Sequence, residues 1–162
     1  MKKVVVNDIN IFIDLFRVEL LDKLFALPWE VYTTDFVLLA IQREKQPALL
    51  QRLKLYIKEG KLHVPLLEPE EIIDMLRQPG MLSNISFTDC SGRYYAKKNN
   101  FSLLTEDRRL QSLSVKDSMD VHGIVYVLGS IKEAGLITSK EAASILMQLK
   151  NSNPRLAKEA FE

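Results

Sequence analysis

Three aspartates stand at positions where an α/β protein builds its chemistry. Asp8 directly follows the apolar run Val4-Val5-Val6, Asp107 comes shortly after Leu103-Leu104, and Asp89 lies at the start of a predicted helix. If the two apolar runs are neighbouring strands of a parallel sheet, the residues that follow them lie where open α/β sheets bind their ligands. The three carboxylates are therefore expected at one edge of the sheet.

Carboxylates that converge without histidines or thiolates favour a hard cation. Mg²⁺ and Mn²⁺ prefer oxygen ligands, and Mg²⁺ sites commonly combine a few carboxylates with waters and substrate phosphate. Such an ion can activate water and stabilise an in-line displacement at phosphorus. The alternative is that Asp89 and Asp107 only cap helices, since both stand where a helix is predicted to begin. That alternative explains Asp8 less well, because Asp8 directly follows a buried strand.

Other chemistries lack the residues they need. None of the six glycines lies in the turn after the first strand, where a phosphate-cradling loop requires one. Asn10 stands where a haloacid-dehalogenase-like phosphatase would carry its second aspartate, and no lysine follows the last strand as in a response-regulator receiver. His63 and His122 are poorly placed for a nucleophilic triad, and Cys90 is the single cysteine.

Length and composition bound the class of protein. The chain has 162 residues, a net charge of +1, 47% hydrophobic residues and one cysteine. These values predict one globular domain without an internal disulfide, in a reducing compartment. No run approaches the roughly 18 apolar residues of a membrane span or the roughly 7–15 of a secretory signal, so a cytoplasmic protein without membrane contact is expected. The net charge argues against a globally basic nucleic-acid binder but allows local basic surfaces.

Strand and helix signals alternate along the chain, which is typical of right-handed βαβ units and a parallel sheet covered by helices. The pattern predicts one α/β domain over residues 1–150, followed by a C-terminal helix or tail over 151–162. Short apolar runs predict strands at residues 4–6, 31–33, 62–66, 101–105 and 119–121. Helices are predicted as one or two over residues 10–27, then over 35–44, 47–60, 69–76, 88–98, from 107, over 123–134 and over 139–149.

These motifs together resemble the PIN domain, the metal-dependent ribonuclease fold of VapC-type toxins. Residues 4–10 look like the family's opening strand, acid and Asp-x-Asn, and residues 103–110 are close to its Leu-Leu-Thr-x-Asp-x-x-Leu signature. Asp89, before a helix containing alanine and aromatic residues, matches a third acid, and residues 121–142 resemble the C-terminal part of one PIN subgroup. The resemblance covers nearly the whole chain.

The resemblance implies a parallel five-stranded sheet flanked by helices on both faces, an acidic Mg²⁺ or Mn²⁺ site and cleavage of single-stranded RNA. Asp8, Asp89 and Asp107 would be the catalytic and metal-binding residues. Asn10 and Thr105 would orient these ligands through hydrogen bonds without binding the metal themselves. The resemblance also implies a homodimer and, in a toxin–antitoxin system, an antitoxin protein as partner.

One position departs from the family pattern. The family usually carries a further glutamate in the helix after the second strand, and the matching position here is Ala40. Glu44 lies one turn further along the same helical face, about 6 Å along the axis, from where it would reach a metal only through water. The departure motivates an alternative hypothesis, a catalytically impaired PIN domain that acts as an RNA- or protein-binding module.

Two basic stretches are candidates for an RNA path. Residues 93–116 carry six basic and two acidic side chains, and residues 47–61 carry four basic and one acidic. Neutralising phosphates with such side chains supplies affinity that does not depend on sequence. Arg93, Lys97 and Arg108 are the predicted substrate contacts. For Arg93 the alternative is an ion pair within its helix, with the aspartate four residues before it.

Overall fold

The computed structural model describes residues 1–78 and 85–152, and its sheet has the predicted architecture. Five parallel strands run in the spatial order β3-β2-β1-β4-β5, so the first strand of the chain lies at the centre. The prediction of a five-stranded parallel sheet is confirmed. The strands are β1 (Lys2–Val6), β2 (Trp29–Tyr32), β3 (Leu62–His63), β4 (Ser102–Leu104) and β5 (Val121–His122).

Helices connect the strands and cover both faces of the sheet. Residues 10–27, where the sequence left one helix or two open, form two helices, because Glu19 between them adopts a positive φ of 61°. The predicted end of the helix over 69–76, near Pro79-Gly80, lies outside the described residues, as does the predicted C-terminal segment 151–162 beyond residue 152. The described helices are α1 (Ile9–Arg17), α2 (Leu21–Ala26), α3 (Asp35–Arg43), α4 (Pro47–Lys58), α5 (Pro69–Arg77), α6 (Phe87–Asn99), α7 (Arg108–Lys116), α8 (Ile124–Glu133) and α9 (Ser139–Ser152).

The central strand explains why its sequence is an unbroken apolar run. Val4 and Val6 point to one face and join the large core under α1, α4, α8 and α9, whereas Val5 points to the other and packs with Leu103 and Leu110. All five side chains are completely buried. A parallel strand covered on both faces gains from apolar residues at every position.

Helix starts are fixed by the polar residues that the sequence places there. The Thr34 hydroxyl accepts the Val37 N–H of α3 at 3.3 Å, and the Asp107 carboxylate accepts the Leu110 N–H of α7 at 2.9 Å. Such caps satisfy N–H groups that have no partner within the helix. None of the helices in the described ranges is long and apolar enough to cross a membrane.

Candidate active site

The pairing of β1 with β4 brings two of the predicted acids together. Val6 is in register with Leu104, and the Asn7 N–H continues the ladder by donating to the Leu104 carbonyl at 3.1 Å. Asp8 follows directly, and its Oδ2 accepts the backbone N–H of Glu106 at 3.0 Å, although 98 residues separate the two. The ends of the two strands are therefore bonded to each other at the position of the acids.

The third acid arrives on α6, which is held against the end of β1. The Ser86 hydroxyl caps this helix by accepting the Asp89 N–H at 3.1 Å. The Asn7 side chain, which is fully buried, donates from Nδ2 to the Asp89 carbonyl at 3.0 Å. A single buried amide thus links the first turn of α6 to the strand that carries Asp8.

All three predicted acids line one cavity of about 320 Å³ at this edge of the sheet. Ala40 lines the same cavity, so the position where the family pattern expects a glutamate does face the acids. Glu44 is exposed after the last turn of α3 and is not among the described residues that line the cavity. The lining residues are Asn7, Asp8, Ile9, Asn10, Ala40, Ser86, Thr88, Asp89 and Asp107.

The three carboxylates influence one another electrostatically. Burial, together with the negative charges of Asp8 and Asp107, raises the pKa of Asp89 to about 6, against a hydrogen bond from Ser86 that lowers it. Like charges near a half-buried carboxylate disfavour its ionised form. A cavity that raises the pKa of a carboxyl group in this way would gain from a bound cation.

The donor set suits a divalent cation with oxygen ligands, but the carboxylates are turned to other partners. In residues 1–78 and 85–152 no group of three or more His, Cys, Asp or Glu side chains is arranged to hold a metal ion. Asp8 accepts backbone N–H groups at both oxygens, from Asn10 at 2.9 Å and from Glu106, and Asp107 Oδ1 caps α7. The two alternative roles of these aspartates, helix cap and metal ligand, therefore fall on the same side chains.

The predicted supporting residues lie beside these acids. Thr105 is fully buried, and its hydroxyl accepts the Asp107 N–H at 3.1 Å. Gln111 Nε2 donates to the Thr105 carbonyl at 2.7 Å, which ties the loop to α7. Asn10 donates its N–H to Asp8 Oδ1 and also lines the cavity. The role of Thr105 and Asn10 in orienting the acids stays a prediction, and these hydrogen bonds are the contacts through which they would orient them.

The predicted substrate contacts divide into two kinds. Lys97 and Arg108 are exposed, and Lys97 pairs with Asp117 at 3.3 Å. Arg93 is only 1% exposed, and its guanidinium pairs with Asp117 at the end of α7. The contact predicted between Arg93 and RNA is therefore corrected: the side chain faces the interior, and its ion pair joins α6 to α7.

Two polar residues next to the acids were not predicted from the sequence to belong to the site. Asn7 precedes Asp8 and Glu106 precedes Asp107, and both side chains are buried. The only signal was a polar side chain at the end of an apolar strand, which also fits a turn. Their importance becomes visible only through the helices that they contact.

The comparisons with known proteins agree with this fold. A family model described as a PIN domain matches residues 4–162. The chain therefore belongs to the PIN domain family, whose members are usually nucleases. A PilT N-terminus domain protein from the hyperthermophilic archaeon Sulfolobus solfataricus P2 has a similar structure, with a TM-score of 0.53, 11% identity, and coverage of 81% of this chain and 93% of that chain. The comparison with curated proteins gives no match.

Gly92 in α6 should not tolerate a side chain, because a Cβ there would lie 1.8 Å from Asn7 Oδ1. We expect Gly92→Ala to displace the Asn7 amide and lower the free energy of unfolding by about 1–3 kcal/mol. Gly129→Ala is the matched control in α8, where a Cβ meets nothing within 4 Å; it should be neutral or stabilising by about 0.5–1 kcal/mol. Urea denaturation measures both, and equal effects at the two positions would contradict the account.

The raised pKa of Asp89 predicts a pH-dependent stability of the metal-free protein. Because the pKa rises from 3.8 to about 6 on folding, the folded state holds the proton more tightly, and this stabilising contribution is lost as the pH rises toward 6. Asp89→Asn should match the wild type near pH 3.5 and exceed its free energy of unfolding by on the order of 1–3 kcal/mol at pH 7. Urea denaturation in EDTA across this range measures the difference.

Asp35→Asn is the control for that experiment, since Asp35 occupies the first turn of α3 but is exposed. It removes the same charge from the first turn of a helix, outside the cavity that the three acids line. A gap between Asp89→Asn and the wild type that stays constant from pH 3.5 to pH 7 would contradict the raised pKa of Asp89.

Proposed function

We propose that this protein is a Mg²⁺- or Mn²⁺-dependent endoribonuclease that cleaves single-stranded RNA, as a VapC-like toxin component. The observation that carries the proposal is the single cavity lined by Asp8, Asp89 and Asp107 at the carboxyl edge of a PIN-domain sheet. In this setting the carboxylates have a use beyond capping, because they face open space that a phosphate group can enter.

The proposed roles follow from the contacts of each residue. The carboxylate oxygens of Asp8 and Asp107 that accept backbone N–H groups each keep a second lone pair, which would bind the cation, while Asp89 must be ionised to take part. When bound, the cation supplies positive charge at the reacting phosphate and lowers the pKa of water. The Thr105 hydroxyl would hold Asp107 by accepting its N–H, and the Asn10 N–H would orient Asp8 by donating to its Oδ1.

The exposed basic side chains extend the proposed substrate path from the acids. Arg108 is the first residue of α7, next to Asp107, and Lys97 lies eight residues after Asp89 on α6, about 12 Å along the helix axis. Spaced this way, the two cations would neutralise different phosphates of one strand. The proposal further includes a homodimer, an antitoxin protein as partner and a cytoplasmic location.

Cleavage of a single-stranded RNA by the purified protein tests the proposal. With Mn²⁺ we expect cleavage that stops on chelation with EDTA, and Asp8→Asn should reduce the rate at least 100-fold because an amide replaces a charged ligand. Asp35→Asn, on the outside of α3, should cleave as the wild type does. Full cleavage by Asp8→Asn, or cleavage by no preparation at any Mn²⁺ concentration, would refute the mechanism.

The second candidate function is a catalytically impaired PIN domain that binds RNA or a protein, and Ala40 in the cavity wall is the observation that favours it. Under our proposal the wild type already cleaves, so Ala40→Glu should change the Mn²⁺-dependent rate no more than about threefold. Effects of roughly 10–100-fold are usual when a group that supports the metal is lost, and no such group is lost here. Leu39→Glu is the control, because it adds the same charge at an exposed neighbour outside the lining. A gain of tenfold or more by Ala40→Glu alone, from an almost inactive wild type, would favour the impaired domain.

A further inference from the structure

We infer that Glu106 is a positioning residue. Its side chain bonds to the start of α8, and the Glu106 backbone N–H that is anchored in this way fixes the Asp8 carboxylate. The inference rests on the proposed function only insofar as Asp8 is taken as a metal ligand. Glu106 lies between Thr105 and Asp107 and is 5% exposed. A carboxylate buried to this degree needs a definite set of hydrogen-bond partners.

The first contact of Glu106 joins it to α8. Its Oε1 accepts the backbone N–H of Ile124, the first residue of that helix. The N-cap of α8 is Gly123, so no N-cap side chain serves the N–H groups of the first turn. Glu106 therefore caps α8 from a distant part of the sequence, and its charge lies at the end of the helix that favours an anion.

The second contact joins the same residue to Asp8. The backbone N–H of Glu106 donates to Asp8 Oδ2 at 3.0 Å. Glu106 thus links α8 to Asp8: its side chain bonds to α8, and its backbone N–H bonds to the Asp8 carboxylate. The Val127 and Ile131 side chains on one face of α8 are completely buried in the main core, so this helix is a firm anchor for the link.

Gly123 leaves the space that the Glu106 carboxylate occupies. Its backbone angles of −109° and −165° are extended and open to any residue, so conformation does not require glycine there. A Cβ at this position would lie 2.5 Å from Glu106 Oε1. The missing side chain is explained by the close approach of Glu106, and the two residues form a matched pair.

Amide hydrogen exchange of the metal-free protein tests the link without any assumption about function. We expect Glu106→Ala to speed exchange at the amide of residue 106 at least tenfold, because the anchor that aims this N–H at Asp8 is gone. Mn²⁺ titration should show a dissociation constant raised roughly 10–100-fold, as for other residues that support metal ligands. Ile131→Val, a small truncation in the same helix, is the control for a general loss of stability.

Glu106→Gln separates positioning from a mere need for bulk. Its amide oxygen can still accept the Ile124 N–H, so exchange and Mn²⁺ affinity should stay within about threefold of the wild type. A glutamine variant as impaired as Glu106→Ala would overturn the hydrogen-bond explanation. Exchange at residue 106 that rises no more in Glu106→Ala than in Ile131→Val would overturn the inference itself. If the wild type binds no Mn²⁺ but exchange still responds, the link stands and the proposed metal function fails.

Gly123→Ala keeps the inference testable if Glu106→Ala does not fold. Its Cβ should push the Glu106 carboxylate from Ile124 and speed exchange at residue 106 at least fivefold. Where Glu106→Ala does fold, Gly123→Ala should add little in that background, because the carboxylate that it displaces is already absent. Neighbouring residues that act through one contact give such non-additive effects. Unchanged exchange at residue 106 in Gly123→Ala would overturn the pairing of these two residues.

Discussion

The structure depends on the parallel pairing of β1 with β4, which places residues a hundred positions apart in one hydrogen-bonded network. The ladder does not stop at Val6 and Leu104, because Asn7 N–H bonds to the Leu104 carbonyl and Glu106 N–H bonds to Asp8. Since β1 is the central strand, with β2 on its other side, a shift of its register would move Asp8 away from these partners and reverse which valines face each core. The burial of β1 on both faces therefore fixes the site as well as the fold.

The residue before each strand-end aspartate adds a second constraint of the same kind. Asn7 reaches α6 and Glu106 reaches the start of α8, and in both cases a glycine provides the space, Gly92 for the amide and Gly123 for the carboxylate. A buried polar group stabilises a fold only when its partners are in place, so each contact favours one arrangement of helix and strand. The two helices are thereby oriented by polar contacts beside the acids and not by apolar packing alone.

The sequence predicted the sheet and the three acids because these follow from local patterns. An unbroken run such as Val4-Val5-Val6 signals a doubly covered strand, and an acid directly after it signals the ligand-binding edge. The predicted contact of Arg93 with RNA was wrong. Helical spacing allows Arg93 to pair with Asp89, but it cannot show that Asp117 at the end of α7 lies beside it. Glu106 was missed for the same reason, because nothing near it in the chain reveals its partner at the start of α8. Tertiary partners of polar side chains are what local patterns leave undetermined.

The charges of the site explain why one protein can have both a near-neutral total and a local need for cations. Backbone N–H groups donate to the carboxylates of Asp8 and Asp107, whereas burial, together with the negative charges of these two neighbours, raises the pKa of Asp89. A cation in the cavity would offset this repulsion and favour the ionised form of Asp89. Farther out, Asp117 offsets the positive charge of Arg93 and Lys97. An overall charge of +1 therefore conceals an acidic cavity beside balanced basic helices, and the local arrangement, not the total, decides what can bind.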